Sequence, residues 1–208
     1  MNIIEEENYS FNKYVEFIEI IGNNNPHESN YQALICDFLN KILINTEIQV
    51  IDTSANRPDT KQHDRKKYTG PKGTPDLIIA RGYQYKNIMN EETNTEYIAA
   101  IEIKRPKEQM NEAELIKKNK EQLESHLSKN KKVIITDCIK WSFFRSDKVG
   151  LIPVKSFVLK DNANEWKVEK KEVDEFVQGL LNLQEDYLES ECKEWNDLQV
   201  FIREWLSA

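Results

Sequence analysis

A carboxylate and an amine stand two residues apart inside an apolar run, Ile101-Glu102-Ile103-Lys104, and no other feature restricts the fold of this chain as much. The run is short and rich in β-branched residues, which suits a strand, and strand side chains alternate between the two faces of a sheet. Glu102 and Lys104 therefore point to the same side, with Ile101 and Ile103 opposite. A second run, Gly73-Thr74-Pro75-Asp76-Leu77-Ile78-Ile79, has the same character and carries an acid at its mouth. Turn residues precede Asp76 and apolar residues follow it, so it reads as another strand. Two such strands can gather two hard oxygen donors and one ammonium in a single small site.

The flanking segments supply a frame. Residues 14–21 have helical spacing and stop at Gly22 and an Asn-rich stretch. The stripe Tyr31, Leu34, Ile35, Phe38, Leu39 and Ile42 predicts an amphipathic helix over 27–44. A short strand is expected at 47–51 and a polar, basic loop over 53–73. Strands follow near 75–81 and 96–104, then a helix within 108–129. Further strands are expected at 132–136, 141–145 and 154–159, with 166–168 as a last one. Helical spacing returns in Phe176, Leu180, Leu183 and Tyr187, and again in Trp195, Leu198, Ile202 and Trp205. The order implies an α/β protein, a mixed β-sheet flanked by helices with a C-terminal helical extension. The strand at 132–136 follows a crossover helix and is expected to pair in parallel.

Net charge enters through its distribution. The chain of 208 residues carries −7 in all, but residues 161–208 hold 5 Lys/Arg against 13 Asp/Glu. The remainder, 1–160, holds 24 against 23 and is nearly neutral. The chain thus divides into a core of 1–160, with its N-terminal helices, and an acidic helical extension of 161–208, packed on that core or on a neighbouring domain. Overall acidity is no argument against a polyanionic substrate at a site in the core. No run approaches the roughly 18 apolar residues of a membrane span. The opening residues lack the basic and apolar regions of a signal peptide, and Cys36, Cys138 and Cys192 are odd in number and widely spaced. A cytoplasmic protein without membrane contact or disulfides is expected.

The order Glu28 … Pro75-Asp76 … Glu102-Ile103-Lys104 resembles the PD-(D/E)XK nuclease superfamily, with its restriction-endonuclease-like fold. The resemblance covers residues 27–145. It extends to Gln122-Leu123 followed by Lys132-Val133-Ile134-Ile135-Thr136-Asp137 and Trp141-Ser142-Phe143-Phe144, similar to nuclease domains of large multifunctional restriction enzymes. It implies an Mg²⁺-dependent endonuclease (Mn²⁺ substituting) that hydrolyses phosphodiester bonds in DNA, in bacterial restriction or defence. Asp76, Glu102 and the Ile103 carbonyl would hold the metal, with Glu28 as a further acidic ligand. Magnesium takes such oxygen ligands and retains waters. Lys104 would orient or help deprotonate the attacking water and stabilise the transition state. Gln122 matches a helix position that orients water or backbone. His27 and His126 read as polar helix positions. Pro58-Asp59 is a second Pro-Asp, but its flanks are not strand-like.

Cations for the substrate are expected from the loop residues Arg57, Lys61, Arg65, Lys66, Lys67 and Lys72, and from Arg105 and Lys107 after the Glu-x-Lys strand. Contacts of this type give affinity that depends on salt and not on sequence. No Gly-x-x-x-x-Gly-Lys-Ser/Thr loop is present in the sequence, so a motor or sequence reader is expected in a further helicase or methyltransferase domain or subunit; a homodimer is the other expected assembly. Two alternatives remain open: an inactive nuclease-fold binding or assembly module, and a nuclease acting on RNA or single-stranded DNA.

Overall fold

The computed structural model describes residues 8–53, 66–83, 95–107, 110–147, 150–168 and 192–208. Helix α1 (Phe11–Asn24) starts at Ser10, whose hydroxyl accepts from the Lys13 amide. It stops ahead of Pro26. Helix α2 (Glu28–Ile42) places an acid in its first turn and Lys41 in its last, both favourable to the helix dipole. Strands β1 (Ile48–Asp52), β2 (Leu77–Arg81) and β3 (Glu96–Ile103) follow. Helix α3 (Glu112–Leu127) is capped by Asn111, which accepts from the Glu114 amide at 2.9 Å. Then come β4 (Lys132–Thr136), β5 (Lys140–Asp147), β6 (Gly150–Val158) and helix α4 (Lys193–Ser207).

The six strands form one sheet in the order β1-β2-β3-β4-β5-β6. All neighbours run antiparallel except β3 and β4, which are parallel, with Glu102 opposite Ile135. This is the mixed sheet with flanking helices and a C-terminal helix that the sequence implies. The parallel pair requires a crossover, and α3 supplies it. Strand alternation then sorts the two cores. Ile78, Ala80, Ala100, Val133 and Ile135 meet Leu115, Leu123 and Leu127 of α3. Leu77, Ile79, Ile101, Ile103, Ile134, Trp141 and Phe143 face the other way, toward α1, α2 and α4. Both faces of β3 are therefore covered, and Glu102 lies on the α3 side.

The extension departs from its sequence reading at residues 166–168. Residues 166–168 form no strand; Trp166 makes a single bridge to Lys160. The tight turn before it explains this, since the Asp161 carboxylate accepts from the Ala163 and Glu165 amides and Asn164 takes a φ of 64°. The helical stripe of Phe176, Leu180, Leu183 and Tyr187 lies outside the described residues, as do residues 84–94 between β2 and β3. Helix α4 packs on the sheet. Trp195, 1 % exposed, sits among Tyr9, Tyr14 and Phe38, and Leu198 and Ile202 are buried beside it. The Trp195 indole donates to the Tyr9 carbonyl at 2.7 Å, and the Gln199 amide oxygen accepts from the Tyr9 amide at 2.7 Å. No helix among the described residues is long and apolar enough to cross a membrane.

Candidate active site

Three carboxylates converge where α2 begins and where β2 and β3 meet. One oxygen from each of Glu28, Asp76 and Glu102 lies within 4.8 Å of the others. Each comes from a different element, and each is placed by a separate local cause.

Asp76 stands at the entrance to β2. Its Oδ2 accepts from the Ile103 amide at 2.7 Å, which ties the mouth of one strand to the end of the next. Its own carbonyl accepts from the Gln32 side chain at 3.0 Å, the Thr53 amide at 3.1 Å and the Thr53 hydroxyl at 3.1 Å. The Thr53 hydroxyl also contacts the Pro75 carbonyl. Gln32 lies one helical turn after Glu28, so the same face of α2 delivers a carboxylate and braces a second one. Ahead of Pro75 the chain turns at Gly73, whose φ of 127° is open to glycine and strained for other residues. Gly70 and Gly73 exchange backbone hydrogen bonds of 3.2 Å. A Cβ on Gly70 would overlap the Ser125 carbonyl on α3, so glycine lets this turn seat against the helix.

Glu102 is 2 % exposed, and three donors surround it. Gln122 Nε2 donates to Oε1 at 2.6 Å, Lys104 Nζ contacts the same oxygen, and His126 Nε2 lies 2.9 Å from Oε2. Gln122 and His126 are four apart on α3, so one helix face points both at the carboxylate. The structure thus corrects the reading of His126 as a mere polar helix position: it is fully buried and touches Glu102. The spacing Gln122-x-x-x-His126 on the crossover helix was the available signal. His27, by contrast, occupies the N-cap of α2 and makes no side-chain cap bond. Buried polar groups need partners, and the donor set around Glu102 fixes its orientation.

Lys104 completes the arrangement. Its Nζ lies 3.3 Å from Glu28 Oε1 and contacts Glu102, so Glu102 and Lys104 share one side as strand alternation requires. Burial opposes its charge, but Glu102, Glu28 and Asp76 outweigh burial and raise its pKa. It is a firmly held ammonium. Asp76 is shifted up to about 7 by burial and by the neighbouring Glu102 charge, against the pull of the Ile103 amide and Lys104. Crowded carboxylates in a partly buried place, all hard oxygen donors, fit a divalent cation of the magnesium or manganese kind. Ile103 contributes its backbone to the site while its side chain lies in the core.

The expected substrate contacts divide. Arg57, Lys61 and Arg65 lie outside the described residues, as does Pro58-Asp59. Lys66 and Lys67 are exposed ahead of the Gly70 turn. Lys72 is paired with Glu121 of α3 at 3.1 Å, with both side chains mostly in solvent. Arg105 and Lys107 are exposed and line a cleft next to the carboxylates. Comparison of the chain with protein-family models, curated proteins and solved structures finds no match to any of them.

Proposed function

We propose that this chain is a metal-dependent endonuclease of the restriction-endonuclease-like fold, hydrolysing phosphodiester bonds in DNA. The observation that carries the reading is the meeting of Glu28, Asp76 and Glu102 around the Lys104 ammonium, on three elements far apart in sequence. The order α2-β1-β2-β3-α3-β4, with β4 parallel to β3, supports it by placing the Pro-Asp and Glu-x-Lys strands side by side ahead of the crossover helix. In this reading Asp76 and Glu102 would hold Mg²⁺ with the Ile103 carbonyl, and Glu28 would add a further oxygen. The ion, when bound, neutralises phosphate charge and lowers the pKa of a coordinated water.

The protein's own groups do the rest. Lys104, kept protonated by its carboxylates, stabilises negative charge growing on the phosphate during in-line attack by water and orients that water. Gln122 and His126 hold the Glu102 carboxylate in one orientation, and Gln32 and Thr53 fix the backbone that presents Asp76. Such outer partners are worth about 10- to 100-fold in metal affinity or activity at comparable sites. A helicase or methyltransferase partner in a restriction or defence system belongs to the same proposal.

The test is cleavage of supercoiled plasmid and of circular single-stranded DNA with Mg²⁺ or Mn²⁺. Glu102→Ala and Lys104→Ala should abolish nicking, and His126→Ala should reduce it about 10- to 100-fold. Unchanged cutting in the first two variants would sink the site assignment. Metal titration by calorimetry separates an enzyme from a binding module, since the latter would show no binding that depends on Asp76 and Glu102.

A further inference from the structure

We infer that the cleft beside the carboxylates receives a single, unpaired nucleic-acid strand, so that the substrate meets the site with its strands apart. This rests on the nuclease reading for the direction of approach, but its test does not depend on cutting. The cleft has a volume of about 760 Å³. That falls within the roughly 300–1,000 Å³ of pockets that enclose one small molecule. A space of that size accommodates a short stretch of one strand.

Two residues of the cleft wall are close neighbours of site residues along the chain. Arg105 on its wall directly follows Lys104, and Tyr31 lies one turn along α2 from Glu28. Its charge is the second observation. Among the described residues Arg105, Lys107, Lys118 and Lys160 line it with Glu19 and Glu114, in a chain whose net charge is −7. Among the described residues no carboxylate lies within ion-pair distance of Arg105, Lys107 or Lys118. Glu19 already accepts from the Trp166 indole at 3.3 Å. Cations gathered without partners in one concave place repel each other and raise the local potential, which favours a polyanion.

The far wall is the third observation. Lys160 Nζ sits 4.8 Å from the centroid of the half-buried Trp166 ring, and Met110, Ile139 and Pro106 add apolar surface nearby. An aromatic surface among cations suits bases and phosphates of one strand together, and bases are free to use it only when unpaired. Nothing in the wall distinguishes ribose from deoxyribose.

The test is fluorescence anisotropy in EDTA, where no metal-dependent cutting occurs. The probes are labelled oligothymidylate and oligouridylate of about a dozen nucleotides and a DNA duplex of equal length. Wild type should bind at least one single strand about tenfold more tightly than the duplex, and the tighter of the two identifies DNA or RNA. Lys107→Glu/Lys118→Glu alters only exposed side chains and should fold normally. It should lose about tenfold in single-strand affinity, and its salt slope should fall by about 0.7 for each lost phosphate contact. Equal binding by the double variant, or a wild-type preference for duplex, overturns the inference. Since nicking is measured separately, loss of the nuclease reading leaves a different signature: no cutting, with strand binding and its salt slope intact.

Discussion

Asp76 is the residue whose chemistry is most exposed to test. In the fold its carboxyl is raised from 3.8 to about 7, chiefly by burial and next by the Glu102 charge. Between those values the folded protein holds a proton that the unfolded chain releases. The group's contribution to metal-free stability is therefore fully present below about pH 4 and is lost as pH rises through about 7. A bound cation needs the carboxylate and displaces that proton. The rise in melting temperature on adding Mg²⁺ or Mn²⁺ should accordingly be larger at about pH 8 than at about pH 5.5. In Asp76→Asn that increase with pH should disappear. Thermal melts with and without metal at both pH values decide it; a shift independent of pH would place the metal elsewhere.

The elements differ in how much of them the sequence reveals. Strands β2, β3 and β4 are legible because β-branched runs bounded by turn residues leave few alternatives, and the parallel β3–β4 pairing follows from a helix between them. The shared side of Glu102 and Lys104 is legible for the same reason, since alternation is a property of any strand. What surrounds the carboxylates is not. Gln32 and Thr53 reach Asp76 only after α2 and β1 have packed beside β2, and nothing local in either sequence announces it. Gly70 is similar: its requirement comes from Ser125, which lies across the fold on α3. Gly70→Ala should therefore cost about 1–3 kcal/mol by overpacking, readable in urea unfolding, and should weaken cleavage by shifting the turn that leads into Pro75-Asp76. An undisturbed melting curve would mean that the turn yields more easily than its contacts suggest.

At the scale of the whole molecule, packing decides what composition leaves open. The acidity of residues 161–208 does not say whether they pack on the core or elsewhere; α4 places Trp195 against Tyr14 and Phe38, the residues on which α1 and α2 meet the sheet. Charge describes the outward face of that helix and its apolar stripe describes the inward one. Trp195→Ala should destabilise the protein by about 3–5 kcal/mol, as large-to-small changes of buried aromatics do, measured by denaturant unfolding. A cost near zero would show that α4 is not part of the cooperative unit.

The hold of α4 on Tyr9 also bears on when the carboxylate site would form during folding. Tyr9 bonds to Gln199 across 190 positions of sequence, and contacts of that span form late because a long loop must close first. While the chain is being synthesised, α1 and α2 leave the ribosome early and wait without Trp195 to cover the ring cluster they share. Until it arrives, α2, which presents Glu28 and braces Asp76 through Gln32, has only part of its seat. The geometry that brings Glu28 and Asp76 together would thus be completed only when α4 has seated, so the two ends of the described chain set the site jointly.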